Sequence, residues 1–329
     1  MSICFVTGGT GFVGRHLVPR LARTHRLRLL VRAGQEVRDF AAVPHERVEG
    51  RLEDESALAR GVAGADLVVH LAALVSFRRE DLTAMRRINV DATARLAALA
   101  RTAAVRRFLH VSTISAVACR DGPEAVDETA VYNFGPLRIG YCDTKFAAER
   151  AVLAEVDRGL DAVVVNPPSM FGAGDRRKGD DSLIGAVLRG RVRFAPPGGL
   201  NVADVGDVCD GMLSAIARGR RGERYILGGE NLTGRELFLR IAEVVGGRAP
   251  THTAPPAFVR LLAGLLGAKE AMFGSRLPLT REVLTLATRF LWYSSAKAER
   301  ELGWRAGRVD RGIAAAAADA EREQKVRSG

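Results

Sequence analysis

Three shortages bound this chain before any motif is read. Only four cysteines occur in 329 residues, Cys4, Cys119, Cys142 and Cys209, all widely separated. That spacing excludes paired metal ligands and a dense disulfide framework, so no metal is expected and the thiols read as reduced, in a cytoplasmic protein. Aromatics make up 6% of the chain and never interleave with a basic patch. A stacking platform for nucleic acid is therefore missing, and the net charge of +11 reads as arginines scattered over a solvated surface. Long apolar runs are also absent. The most apolar later stretch, Ala257 to Ala268, is broken by Arg260 and falls well below the roughly 20 residues that span a bilayer. A packing helix is expected there, with no membrane span. Met1 leads directly into a strand-like run, so no secretory leader is expected.

What is present is a hydrophobic content of 47%, enough for a large core in one elaborated domain or two intimate ones. The chain is organised around Val6-Thr7-Gly8-Gly9-Thr10-Gly11-Phe12-Val13-Gly14. Ile3 to Val6 is a short β-forming run, and Phe12, Val13, Leu17, Val18 and Leu21 recur at helical spacing, so the setting is strand, turn, helix. Glycines at 8, 11 and 14 allow a tight turn, close approach of backbone N–H groups to a pyrophosphate, and close packing of helix on strand. The second strand, Leu27 to Arg32, ends on a base, and no acid occurs before Glu36. An acid there binds a ribose hydroxyl, whereas Arg32 suits a 2′-phosphate, so NADP(H) is the expected cofactor and NAD(H) the alternative.

Further strands are expected around Arg47 to Gly50, over Asp66 to Ala73 and over Arg107 to Val111. Leu71, Ala72 and Ala73 are small or apolar where backbone must approach a ligand, while His70 reads as a structural core histidine. A long helix is expected from about 81 to 103, with Asn89 inside it. The fifth strand delivers Ser112-Thr113 to its carboxyl end, where open parallel sheets bind ligands. Next comes Tyr141-Cys142-Asp143-Thr144-Lys145 at the start of another helix. Positions four apart share a helix face, and an ammonium beside a phenol stabilises its phenolate, which fits the phenol for proton transfer near neutrality.

In order and distance these motifs resemble the extended short-chain dehydrogenases/reductases of the NAD-dependent epimerase/dehydratase family, over nearly the whole chain. Within that family the details resemble the dihydroflavonol-reductase-like and hopanoid-associated sugar epimerase-like branch. The resemblance implies an α/β Rossmann fold, a doubly wound parallel sheet with a smaller, mostly helical C-terminal substrate region. Residues 1–168, with 201–228 returning, would form the dinucleotide domain, and 169–200 with 229–329 the substrate region and closing helices. It implies a catalytic set of Thr113, Tyr141 and Lys145, with Asn89 nearby and Ser112 as the alternative hydroxyl. The cofactor would lie along Gly8, Thr10, Gly11, Phe12, Val13, Gly14, Arg32, Leu52, Leu71, Ala72, Ala73, Val111, Tyr141, Lys145, Pro167 and Ser169. The substrate, a small carbonyl compound or a sugar, would meet Thr113, Ser169, Met170 and Phe194. The helices at 81–103 and 140–157 would pair across a homodimer.

Departures from the family narrow the chemistry. Ile114-Ser115 follow Thr113 where sugar-nucleotide dehydratases carry Asp-Glu, so dehydration lacks its acid and base. Asn166 and Ser169 stand where nucleotide-sugar members commonly carry Arg and Asn. Arg51 replaces an Asp near the adenine. The expected reaction is therefore reduction of a ketone or aldehyde, with epimerisation on a retained cofactor and a non-catalytic dinucleotide sensor or scaffold as alternatives. Residues 176–200 are expected to be a mobile, charged segment whose arginines could still close on a pyrophosphate. Helices at 255–266 and 279–290 would form an apolar lid, Thr233 with Glu236 would cap a helix reaching Val245, and Ser294 to Trp304 matches the family's closing motif.

Overall fold

Largely apolar runs of three to seven residues bounded by turn residues become the strands of one parallel sheet, because helices on both sides bury both faces. In a computed structural model, the structure describes residues 1–35, 37, 42–175, 183–274 and 279–328. Strand β1 (Ser2–Thr7) leads through α1 (Phe12–Leu21) to β2 (His25–Val31), β3 (His45–Glu49), α2 (Glu55–Val62) and β4 (Leu67–His70). A composite rod follows: α3 (Leu82–Met85), a π-helical turn over Arg86–Asp91, and α4 (Ala92–Thr102). Then come β5 (Arg107–Val111), α5 (Gly140–Asp157), β6 (Ala162–Asn166), β7 (Ser169–Phe171), α6 (Leu183–Leu188), β8 (Phe194–Ala195) and β9 (Gly199–Asp204). The chain continues through α7 (Val205–Arg218), β10 (Arg224–Ile226), β11 (Glu230–Thr233), α8 (Gly234–Val245) and β12 (His252–Thr253). It ends in α9 (Pro256–Phe273), α10 (Arg281–Ala287), β13 (Phe290–Leu291), α11 (Ala296–Leu302) and α12 (Asp310–Ser328).

The large sheet runs β10-β6-β5-β4-β1-β2-β3, all parallel. Strand order reverses between β1 and β4, and the crevice beyond their carboxyl ends is where such a sheet takes a ligand. One face is sealed by Leu17 and Leu21 of α1, Val208 and Met212 of α7, and Trp304. The other is sealed by Leu58 of α2, Leu96 and Ala97 of α4, and Val152 of α5. All four cysteines are buried and unpaired, and burial pushes the Cys209 thiol up to about 12.

The region beyond β6 holds more strand than the expected helical one. β11, β9 and β13 form a second sheet, with β7 added on β9. These strands are two to six residues long, too short for a period-2 pattern to stand out. Residues 199–204 therefore pair within the small sheet, and the return to the large one is made by α7 and β10. Of the segment expected to be irregular, 176–182 lie outside the described residues, as does Glu36, and the remainder holds α6 and β8. The apolar helix α9 runs past Leu266 to Phe273. Thr233 and Glu236 form the expected capping box: the Thr233 hydroxyl accepts from Glu236 N at 3.2 Å, and the Glu236 carboxylate accepts from Thr233 N at 2.7 Å. Ser295 hydrogen-bonds both the N–H and C=O of Gly228, and Trp304 Nε1 donates to Asp207 O, so the closing motif ties α11 to β10 and α7.

Candidate active site

The glycine loop is built for close approach. Gly8 has φ +72°, and a Cβ on it would stand 2.5 Å from Ala72 N and 2.9 Å from Leu71 C. A Cβ on Gly14 would stand 2.1 Å from Gly9 O, so α1 can lie on the loop only without a side chain there. Helix α1 starts at Gly11 with no side-chain cap and no acid in its first turn. Its first N–H groups are left facing the crevice with the positive end of the helix dipole, which suits a pyrophosphate. Leu71 N donates to Thr7 O, fixing Leu71 to Ala73 alongside. These residues fit a dinucleotide.

Arg32 is exposed just beyond β2 and has no ion-pair partner among the described residues. Gln35 links it to the loop: the Gln35 side chain accepts from Arg32 N at 3.4 Å and donates to Thr10 Oγ1 at 3.1 Å. Sequence reasoning missed Gln35, since a lone glutamine in a turn carries no pattern. Leu52 is 8% exposed and packs in the core with Val48 and Leu58. Phe12, Val13 and Met170 lie half-buried against the α1 side of the sheet. Pro167 O accepts from Ile114 N, which joins the ends of β5 and β6. Ser169 is exposed on β7.

Lys145 is the centre of the polar arrangement. It is 3% exposed, and its Nζ donates to Val111 O at 2.9 Å, at the carboxyl end of β5. Burial pulls the ammonium down to about 8, with the Glu149 carboxylate opposing that shift. Tyr141 lies one turn earlier on the same face of α5, its ring edge-on to Phe77 at 5.6 Å. The two hydroxyls at the end of β5 separate cleanly. Ser112 Oγ donates to Glu149 Oε2 at 2.8 Å in a buried pair, whereas Thr113 Oγ1 accepts from Ser115 N at 3.2 Å and keeps its own proton for another acceptor.

Asn89 enters the site through backbone control. It sits in the π-helical turn, 1% exposed, accepting from Leu74 N at 2.7 Å and donating to Leu74 O at 2.9 Å and to Thr144 Oγ1 at 3.2 Å. Its amide is thereby engaged in fixing the segment after β4 against α5. His70 is fully enclosed between Thr7 Oγ1 at 2.6 Å and Thr93 Oγ1 at 2.8 Å, and burial, aided by Lys145, takes it down to about 3. It is a neutral structural group. His110 packs against it with the rings tilted and their centroids 5.4 Å apart, neither His110 ring nitrogen is hydrogen-bonded among the described residues, and burial holds it neutral as well. Phe194 is 57% exposed on β8, in a two-stranded ladder with β12 separate from both larger sheets.

A buried polar group beneath the site was not anticipated. Glu149 is fully enclosed, ion-paired to Arg224 and accepting from Ser112 and from Asn166 Nδ2 at 3.2 Å. Asn166 also donates to Thr113 O at 2.9 Å. Its side chain therefore belongs to the frame of β5 and β6 rather than to a substrate surface. The available signal was the spacing 141, 145, 149, three positions of one helix face. Glu282 of α10 is a second such group: Gly140 N donates to its Oε1 at 3.4 Å, at the start of α5, and burial raises its carboxyl.

Comparison with known proteins agrees with this fold. A 4-hydroxy-2-methyl-3-oxo-4-farnesyl-3,4-dihydroquinoline-1-oxide ketoreductase of Stigmatella aurantiaca is 35% identical over 311 residues, covering 93% of this chain and 92% of the relative. A candidate dihydroflavonol 4-reductase of a Synechocystis strain is 31% identical over 310 residues, covering 92% and 90%. The solved structure of gox2253 superposes with a TM-score of 0.86 at 30% identity over 98% of each chain. The profile of the NAD dependent epimerase/dehydratase family matches residues 4–228, which run from β1 to β10 and include Thr113, Tyr141, Lys145 and Glu149, and the chain belongs to that family.

Proposed function

We propose that the protein is an NADP(H)-dependent reductase of an apolar ketone or aldehyde, with Thr113, Tyr141 and Lys145 as catalytic residues. The observation that carries this reading is the sorting of the hydroxyls on β5: Ser112 is held by Glu149, and Thr113 retains a donor two residues from the Lys145 contact at Val111 O. NADPH held along the glycine loop would supply the hydride to the carbonyl carbon. Tyr141 gives its phenolic proton to the carbonyl oxygen as the alcohol forms. The Lys145 ammonium stabilises the phenolate that remains, and Thr113 donates a hydrogen bond to the same oxygen. Gly8 to Gly14 and the first turn of α1 would hold the pyrophosphate, and Leu71 to Ala73 would flank it.

The apolar substrate class is supported by Phe77 against the Tyr141 ring and by Asn166, an uncharged amide already engaged with Thr113 O and the Glu149 carboxylate. The Stigmatella relative's name specifies a farnesyl-bearing ketone. NADPH oxidation with a panel of apolar ketones and aldehydes should show turnover, and calorimetry should find UDP and UDP-sugars the weaker ligands. Micromolar UDP binding with no response to any carbonyl would replace this reading with epimerisation. NADPH binding with no turnover of either class would point to a dinucleotide sensor. Arg32 supports NADP(H) over NAD(H). Arg32→Asp would exchange a charge-assisted bond for repulsion and should lower the NADPH/NADH affinity ratio by about tenfold or more; an unchanged ratio would remove the 2′-phosphate role. A homodimer through α4 and α5 is the expected assembly, and sedimentation of the purified chain tests it.

A further inference from the structure

Helix α9 has an outer face that nothing in the described chain covers. Its inner side, Val259 and Ala263, packs on Leu284 of α10. On the opposite side Phe258 is 58% exposed, Leu261 and Leu265 are 62% exposed and Met272 is 70% exposed. At 3.6 residues per turn these four fall in a band about 60° wide. Arg260 and Lys269 lie on the two borders between that band and the buried side. The single acid of the helix, Glu270, is turned inward, where it accepts from Arg281 N at 3.1 Å. A continuous exposed apolar band of this kind marks an interaction surface.

We propose that α9 docks on the surface of a lipid bilayer bearing anionic headgroups, lying in the plane of the interface. The apolar band enters the headgroup–acyl boundary, while Arg260 and Lys269 extend their stems along it and place their charges among the lipid phosphates. No helix of the described residues is long and apolar enough to cross a membrane, so the contact is one of lying on the bilayer. The net charge of +11 draws the chain to an anionic surface and opposes a second copy in the same place, where basic borders would meet basic borders. The helix is also well placed. α10 carries Arg281, whose Nη2 donates to Leu137 O at 3.1 Å, and Glu282 at the first residue of α5, next to Tyr141. A docked α9 therefore holds the proposed carbonyl site one helix away from the lipid, and an apolar substrate can pass between them with little exposure to water. That last step rests on the reductase reading; the docking rests on α9 alone.

Flotation of the full chain, without cofactor, on vesicles of phosphatidylcholine alone and of phosphatidylcholine with phosphatidylglycerol tests the proposal. Binding should require phosphatidylglycerol and weaken as salt screens the borders. Leu261→Glu with Leu265→Glu should lower the bound fraction at least about tenfold, because two apolar anchors become charges. Arg260→Glu with Lys269→Glu should lower it too, and decides the matter if the first variant misfolds by circular dichroism. Failure of the wild type to float with anionic vesicles would overturn the proposal, as would equal flotation of wild type and both variants. A dimer dispersed by the leucine variant, with no vesicle binding by the wild type, would assign the face to a second copy instead. Turnover of NADPH with a water-soluble ketone is measured separately, so failure of the reductase reading leaves the flotation result standing.

Discussion

Two regions of the molecule differ in what they bury. Under the ends of β5 and β6, charged and polar groups are enclosed and paired: Lys145 to Val111, Glu149 to Arg224, Ser112 and Asn166. On the α9 side, large apolar groups stand in solvent. Enclosed charges are tolerated only in one geometry, since each loses its solvation and regains it from fixed partners. The first region therefore fixes the positions of the proposed reacting groups, and removing one partner of an enclosed pair there should be severe. The second is not specified by contacts within the chain, and its side chains answer to something outside it.

The largest effect should come from Glu149→Ala. It removes the acceptor of Ser112 and Asn166 and leaves Arg224, whose side chain is 17% exposed, without its partner. Breaking a buried pair from one side costs on the order of 3–5 kcal/mol, readable as a shift in the urea midpoint. A loss under about 1 kcal/mol would mean that the region tolerates an unpaired charge and that the contrast with α9 is weaker than the geometry suggests.

Tyr141→Phe comes next and separates chemistry from folding within the same region. The ring, with its edge contact to Phe77, is kept and only the oxygen is lost. Turnover should fall by roughly 10²-fold or more, with NADPH affinity and denaturation midpoint near wild type. Near-normal carbonyl reduction by this variant would remove Tyr141 as proton donor.

Lys145→Met should move stability the other way. The ammonium loses its proton at about 8 in the folded chain against 10.5 ordinarily, so above pH 8 the unfolded chain binds more protons than the folded one. Below that window the full burial cost of the charge is present; it is relieved as pH rises through it. The variant should therefore be more stable than wild type at neutral pH, by on the order of 1–3 kcal/mol, with its advantage shrinking as pH climbs towards 10.5. Paired urea titrations across that range check the sign. A pH-independent difference would mean that the ammonium is well solvated. On the proposed mechanism activity should be lost at every pH, because a Tyr141 phenolate would lack its counter-charge.

The same contrast explains what was legible in the sequence. Gly8, Gly14 and the Tyr141/Lys145 spacing are dictated by backbone approach and helix geometry, so residue type and position alone announce them. Strands β1 and β4 were legible because both faces are buried and their apolar runs are unbroken, and β2 and β5 were legible despite Arg28 and His110 within theirs. Glu149, Asn166 and Arg224 were not, since their meaning lies in a meeting of residues 17 to 75 positions apart. The small sheet was hidden by strands too short to show a period, and the exposure of α9 by a composition that reads equally well as core. Ser112 and Thr113 could be told apart only once Glu149 was seen to hold one of them.

The smallest effect should fall on α9, and its smallness is the point. Phe258 has 58% of its surface in solvent, so Phe258→Ser removes few packed contacts and leaves no cavity. A core phenylalanine truncated in this way costs about 3–5 kcal/mol; Phe108, fully enclosed on β5, is the internal comparison. For Phe258→Ser the change in unfolding free energy should stay within about 0.5 kcal/mol, the range of surface substitutions, and exposing less apolar area could even raise the midpoint slightly. A hydrophobic side chain that contributes nothing to folding yet sits in a band with three others has no reason to be there on grounds of stability. Urea titration of Phe258→Ser and Phe108→Ser side by side measures the contrast. A loss above about 2 kcal/mol at Phe258 would show that the outer face of α9 is packed in the folded chain, and with it the case for a surface that serves a partner outside the protein would fail.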